Sequence, residues 1–202
     1  MSQIKLLHSG GNGVILAAPD SNPASDRTLK LPSDADGTIA TTATAGKILQ
    51  VKQAVKTDTA SSNSATFADI AGLSVSITPT SSSNKILVNC NIQTSGQKDS
   101  FCHFLVFRDS TSLGLGTEAT GNMSNVSFAS ASQNSNSAQY GIRPATFNFL
   151  DSPSSTSALT YKVQFASAYY SYYSWINRPH STTNEDFNAF CSSQITVMEV
   201  AA

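Results

Sequence analysis

The first 66 residues of this chain contain no aromatic side chain, although the full 202 residues include ten Phe, six Tyr and one Trp. All of these aromatic residues lie between Phe67 and Phe190. Aromatic side chains supply much of the buried area of a core, so a segment without them can hardly form a stable domain alone. Its short apolar runs, at 13–18 and 47–51, must still be buried from solvent. We therefore expect a slender N-terminal segment that takes its core from a partner surface or from copies of itself, followed by a globular head.

The composition restricts the classes of partner. Only 12% of residues are charged and the net charge is −1, against about 25% charged residues in an average soluble domain. Such a balance provides no basic patch for nucleic acid. No apolar run approaches the ~18 residues of a membrane span, and the N-terminus lacks the apolar region of a signal peptide. We predict no nucleic-acid partner and no membrane insertion, and we expect Cys90, Cys102 and Cys191 to be buried thiols.

Apolar and polar residues alternate with a period of two in several segments of the second part of the chain. The clearest are 73–77, 85–92, 159–165 and 194–200, and this alternation is typical of strands with one buried face. Turns rich in Ser, Pro and Asn separate them, and no segment has a helical period. The sequence predicts an all-β fold, with a jelly-roll-like β-sandwich over residues 67–202. The almost entirely apolar segment 101–107 is expected to be a central strand that is covered on both faces.

Residues 1–46 are predicted to be an attachment or shaft segment of short strands and turns, and residues 47–66 a connecting strand and loop. Strands this short cannot form an independent sheet, whereas three copies of the chain can bury their apolar residues against one another in a homotrimer. The candidate residues of that trimer core are Ile4, Leu6, Ile15, Leu16, Leu29 and Leu31.

No catalytic constellation is present in the sequence. The motifs GxSxG, the phosphate-binding loop and HExxH are absent, so we predict that the protein is not an enzyme and has no cofactor and no metal. One alternative remains for the histidines His8, His103 and His180. In a trimer, three copies of one histidine can meet on the threefold axis and bind a metal ion.

The segment 169–175 has the strongest functional character, because Tyr and Trp make large, rigid contacts at low entropy cost. Two interpretations stay open: these side chains pack in the core or at a subunit interface, or they contact a ligand. The candidate contact residues are Tyr169, Tyr170, Tyr172, Tyr173, Trp175 and Arg178, and His180 follows directly.

Several segments together resemble a family of bacteriophage virion proteins, common in phages of cyanobacteria, that are described as tail fibre or virion structural proteins. The segments are GKILQV at 46–51, GLSVSITP at 72–79, SNKILV at 83–88, LDSP at 150–153, TYKVQ at 160–164 and ITVMEV at 195–200. TLKLP at 28–32 resembles the fibre shafts that carry such heads. The resemblance implies a homotrimer on the virion, made in the host cytoplasm, with an N-terminal attachment region and a β-rich receptor-binding head.

Three functional hypotheses follow. In the first, a short trimeric tail fibre docks on a baseplate or tail protein by residues 1–46 and contacts a host-surface glycan or protein by its head. In the second, a capsid decoration protein or head fibre stabilises the shell by binding a capsid protein. In the third, a spike enzyme degrades polysaccharide, but no carboxylate pair supports it.

Overall fold

The computed structural model describes residues 3–7, 13–17, 47–97, 100–131, 140–168, 172–186 and 188–202. The chain divides into two compact units, Met1–Ala45 and Gly46–Ala202. Within the described ranges every regular element longer than one residue is a strand, which confirms the all-β class. The strands are β1 (Gln3–Leu7), β2 (Gly13–Ala17), β3 (Ile48–Lys56), β4 (Ala60–Ser62), β5 (Ala68–Ile77), β6 (Lys85–Gly96), β7 (Phe101–Arg108), β8 (Thr111–Leu113), β9 (Phe128–Ala131), β10 (Arg143–Asp151), β11 (Leu159–Ser167), β12 (Ser174–Ile176) and β13 (Ser193–Val200).

The first unit contains an antiparallel pair of strands, β1 and β2. Four of the predicted trimer-core residues belong to these strands, and Ile4 lies opposite Leu16 in the register. Leu6 lies opposite Val14, and Ile15 opposite Lys5. Leu29 and Leu31 lie outside the described residues. Their contacts in a trimer stay a prediction.

The second unit, called the head below, consists of two antiparallel sheets. The six-stranded sheet has the order β3-β13-β6-β12-β4, with β10 on β6 as well. The five-stranded sheet has the order β5-β11-β7-β8, with β9 also on β7. Both sheets contribute to one hydrophobic core, which the period-two patterns predicted. The jelly-roll connectivity and the trimer stay predictions. Fully buried members of this core are Leu73, Ile86, Val88, Phe104, Val106, Val163, Ile195 and Val197.

A bulge interrupts the pairing of β5 with β11. The register shifts between Lys162 and Gln164, and Gly72, with φ of +88°, lies in the extra length of β5. Residues that carry a side chain rarely adopt this left-handed backbone conformation, whereas glycine adopts it freely. A Cβ atom at Gly72 would still have room, 3.7 Å from the Cβ of Lys56. Backbone conformation and not crowding therefore favours glycine here.

Residues 47–66 contribute strands to the head instead of only connecting to it. β3 pairs with β13 from Ile48 to Lys56, and β4 pairs with β12. The sequence expectation treated this segment as a link because it has no aromatic residue. Backbone pairing, however, needs no aromatic side chain, and it satisfies the polar groups of the strand.

The strand β7 is central, as predicted, because it pairs with β11 on one edge and with β8 and β9 on the other. The expectation that both of its faces are covered was wrong. Cys102, Phe104 and Val106 are buried, whereas Phe101 is 42% exposed. The sequence of β7 is apolar on both faces, but only one face points into the core shared with the other sheet.

The cysteines are free thiols. Cys90 and Cys102 are buried and Cys191 is half-buried, so the expected burial holds fully for two of them. Burial raises the pKa of Cys90 to about 12 and that of Cys102 to about 11. Both thiols are therefore protonated at neutral pH and behave as small apolar side chains.

Candidate functional site

The predicted aromatic segment enters the six-stranded sheet as the short strand β12. This strand lies between β4 and β6, so Trp175 is opposite Ser61 on one side and Ser95 on the other. Ser174 and Ile176 are completely buried, because alternate side chains of a strand point to opposite faces. Trp175 therefore points to the outer face of the sheet.

The connection between β12 and β13, described at 177–186 and 188–192, leaves and rejoins one edge of β6. β12 pairs with the end of β6, at Thr94 to Gly96, and β13 pairs with the same strand from Asn91 back to Lys85. Gln93 lies between the two partners. Its carbonyl accepts from the Asn177 N–H at 2.9 Å, and its N–H donates to the Ser193 Oγ at 2.9 Å. The strand β6 is thus continuous while its neighbour is interrupted.

Asn177 closes the base of this loop. Its backbone has φ of 65°, a left-handed conformation in which Asn is favoured among non-glycine residues. Its side-chain amide donates to the carbonyls of Lys56 and Asp58, both at 2.9 Å, and its Oδ1 accepts from Ser193 Oγ at 2.5 Å. Asn177 and Ser193 are completely buried. One side chain therefore holds both ends of the loop and the corner between β3 and β4.

We call Tyr173, Trp175, Arg178 and His180 the Trp175 cluster. The rings of Trp175 and His180 are stacked, with centroids 4.7 Å apart and an interplanar angle of 8°. Tyr173 stacks on Trp175 at 5.8 Å and 17°. The guanidinium carbon of Arg178 lies 5.4 Å from the centre of the Trp175 ring, within the range of a cation–π contact.

Backbone contacts fix the polar members of the cluster. Arg178 donates from Nε to the Pro179 carbonyl at 3.0 Å and from a terminal nitrogen to the His180 carbonyl at 2.9 Å. Ser95 Oγ donates to the Arg178 carbonyl at 2.5 Å. Burial, and then the charge of Arg178, lowers the pKa of His180. His180 is therefore neutral at pH 7, and a neutral imidazole can stack on the indole without adding a second charge.

The structure separates the predicted aromatic contact residues into three groups. Tyr169 and Tyr170 lie outside the described residues. Tyr172 is 36% exposed and Tyr173 is 42% exposed, whereas Trp175 is only 9% exposed. An almost buried indole cannot act as an open stacking platform, so within this segment the described aromatic surface comes from Tyr172 and Tyr173.

Among the described residues, no group of three or more His, Cys, Asp or Glu could hold a metal ion. His103 is half-buried, and burial lowers its pKa, while His8 lies outside the described residues. In the described part of the chain, no helix has the length and apolar character needed to cross a membrane. Within the Trp175 cluster, the exposed ring of Tyr173 is the aromatic surface that is open to another molecule.

The sequence analysis missed a buried ion pair between the sheets. Asp151, at the end of β10, accepts from Arg108 of β7 with both carboxylate oxygens at 2.7 Å. The hydroxyl of Tyr161, from β11, donates to the same carboxylate at 2.7 Å. Burial, followed by the hydrogen bond and charge of Asp151, raises the pKa of Tyr161. Asp151 belongs to the six-stranded sheet and its two partners to the other, so this cluster ties the sheets together.

A second buried carboxylate was also missed. Glu199 is completely buried in β13, and its oxygens accept from Gln50 Nε2 at 2.6 Å, from Asn84 Nδ2 at 2.6 Å and from Thr80, through N–H at 2.6 Å and Oγ1 at 2.8 Å. Burial alone would raise the pKa of Glu199, but these hydrogen bonds outweigh it and lower the pKa to about 2. The signal was in the sequence: Glu199 continues the inward series of Ile195 and Val197.

No protein-family model and no curated protein matches this chain. The tripod from the baseplate of bacteriophage Tuc2009 is one solved structure to which the chain is similar. The similarity has 10% sequence identity and a TM-score of 0.22, and it covers 94% of this chain and 84% of that chain. A TM-score this low does not establish a shared fold.

Proposed function

We propose that this chain is a bacteriophage virion structural protein, a short trimeric tail fibre that docks by its N-terminal segment and contacts the host surface by its β head. The observation that carries the proposal is the division of the chain. An aromatic-free segment forms a unit of its own, Met1–Ala45, and all 17 aromatic residues belong to the separate all-β unit Gly46–Ala202. The resemblance of the segments in 46–200 to phage virion proteins supports the same assignment.

The attachment role of residues 1–46 is tested by deletion. A chain that starts at Lys47 keeps every strand of the head, because β3 begins at Ile48. We expect this truncated protein to fold, as measured by circular dichroism, and to be absent from purified particles. Assembly of the truncated protein onto particles at the level of the full chain would overturn the proposal.

The head is proposed to act by binding a host-surface glycan or protein, and not by catalysis. Tyr173 supports this role, because its ring is 42% exposed and rests against Trp175. We expect Tyr173→Ala to reduce adsorption of particles to host cells, with Phe190→Ala, which removes another exposed ring at 65%, as the matched control. Equal adsorption of the two variants would contradict a contact at Tyr173.

One observation favours the second candidate, a capsid decoration protein that binds a capsid protein. Trp175, the largest aromatic side chain of the segment, is covered by its neighbours, so the segment presents no open indole on which a sugar ring could stack. Locating the chain in electron cryomicroscopy maps of whole particles separates the two functions. Density at the tail or baseplate supports the fibre, and density on the capsid supports the decoration protein.

A further inference from the structure

The outer face of the six-stranded sheet carries an apolar row that crosses four strands. Val51 of β3 lies opposite Met198 of β13, Met198 lies opposite Leu87 of β6, and Leu87 lies opposite Leu150 of β10. Val51 and Leu150 are each 53% exposed, while Leu87 and Met198 are half-buried. Side chains directly opposite one another in antiparallel strands are in contact range, so the four form one continuous stripe.

Two further rows on this face are uncharged, and all of their residues except Val55 are polar. The register of the strands places the residues of each row opposite one another: Gln53, Thr196, Asn89 and Asn148 in one row, and Val55, Gln194, Asn91 and Thr146 in the next. Gln53 donates to Thr196 Oγ1 at 2.9 Å and to Gln194 Oε1 at 3.4 Å. Beyond the apolar row, Lys85 at the start of β6 donates to Ser152 Oγ at 2.7 Å. The twelve positions of the three rows hold no charged side chain.

The absence of charge from these rows excludes a charged occupant. A charged partner, such as an anionic polymer, would find no counter-charge there. A second copy of the same face brings apolar groups, amides and hydroxyls against their own kind, with no charge buried without a partner and no like-charge repulsion. Two copies of this face can therefore meet without electrostatic repulsion.

The size of the face sets the strength of such a contact. Three rows on four strands project about 400 Å² at the usual strand spacing and rise, roughly half of the ~800 Å² per partner of a standard interface. Such a contact is weak by itself. It gains strength when another part of the same chain already holds the copies together, because the effective concentration is then high.

We propose that this outer face docks on a second copy of the chain, with Val51, Leu87, Leu150 and Met198 at the centre of the contact. The inference deepens the proposed function and rests on its claim that several copies assemble. It names the part of the head that joins them. Residues 1–46 supply a separate contribution in that scheme.

The test uses the full chain and the variants Val51→Lys and Leu150→Lys, which each place an ammonium group in the apolar row. Both positions are exposed, so the fold tolerates the change, and circular dichroism checks this. The matched control is Met123→Lys, an apolar residue that is 71% exposed and lines a groove beside His103. The measurement is sedimentation velocity over a dilution series.

We expect each row variant to raise the protein concentration at which the assembly half-dissociates by about tenfold or more, since one central apolar contact contributes on this scale. Met123→Lys is expected to match the wild type. A multimeric wild type whose row variants dissociate at the same concentration would overturn the sheet-face contact and leave the trimeric fibre standing. A monomeric wild type throughout would overturn the sheet-face contact and the trimer, whereas virion assembly is tested separately by the deletion of residues 1–46.

Discussion

The head contains two buried carboxylates that are stabilised in different ways. Asp151 faces a cation and a phenol, Arg108 and Tyr161. Glu199 faces only neutral donors, the amides of Gln50 and Asn84 and two groups of Thr80. Both lie at the end of an inward-facing series in the six-stranded sheet, where the core gives way to the loops.

The difference shows what each carboxylate holds in place. Asp151 joins the two sheets through side chains of three strands, and removal of the acid leaves a cation without its partner. Glu199 fastens the connection between β5 and β6, since Thr80 and Asn84 both belong to it. Removal of the charge on Glu199 leaves neutral donors, which are easier to satisfy in other ways. We therefore expect the ion pair to be the more sensitive of the two.

The largest effect is expected for Asp151→Ala. The Arg108 side chain, which is 19% exposed, loses its partner, and the buried Tyr161 hydroxyl loses its acceptor. Breaking a buried pair in this way costs about 3–5 kcal/mol of unfolding free energy. Urea denaturation at pH 7 measures it. A loss below about 1 kcal/mol would show that the pair does not hold the sheets together.

The next effect is the pH dependence that Glu199 produces. Its pKa is about 2 in the folded protein against an ordinary value of 4.5, so its contribution is complete above pH 4.5 and is lost as the pH falls toward 2. Urea denaturation at pH 5, 4, 3 and 2.5 measures the slope.

Glu199→Gln is the control for this slope, because it cannot titrate. We expect a flatter pH profile for this variant than for the wild type, and an unchanged profile for Glu118→Gln, which alters an exposed carboxylate. Identical slopes for the wild type and Glu199→Gln would contradict the lowered pKa of Glu199.

Tyr161→Phe is expected to have a smaller effect. The variant keeps the buried ring and removes only the 2.7 Å hydrogen bond to Asp151, while Arg108 still neutralises the carboxylate. A hydrogen bond to a charged group contributes about 1.5–3 kcal/mol, and we expect the low end of that range. Urea denaturation at pH 7 measures it, and a loss as large as that of Asp151→Ala would mean that the phenol is the principal partner.

The smallest effect is expected for Asp69→Ala, which breaks an exposed ion pair and so compares a surface pair with the buried one. Asp69 accepts from Lys162 at 2.9 Å and from Gln164 at 2.7 Å, but its side chain is 54% exposed. Exposed ion pairs contribute at most about 1 kcal/mol. The same denaturation measurement serves as the control for Asp151→Ala, and equal losses would remove the distinction between buried and exposed pairs.

The sequence predicts strands well and their partners poorly. Alternation located β5, β6, β11 and β13 because it depends only on neighbouring residues. It did not show that β11 lies between β5 and β7, since two strands with the same pattern are equally compatible with many neighbours. β3 was placed in a connector instead of beside β13 for another reason, because its segment has no aromatic residue.

The candidate site was also predicted in part. The Tyr- and Trp-rich composition identified the segment, but the burial of Trp175 depends on His180, which returns over the indole through the geometry of the loop. No local pattern encodes that stack. Glu199 could have been found, since it occupies an inward position of an alternating strand, where a carboxylate must have buried partners.

The base of the loop at 177–192 has a consequence for engineering. Both of its ends are bonded to Gln93, and the side chain of Asn177 locks them together. Since the hydrogen bonds between the loop and β6 come from the base of the loop, we expect that its distal part can be exchanged for foreign peptides while the flanking strands keep their register. The head thus offers a ready insertion point for displaying sequences on a β scaffold.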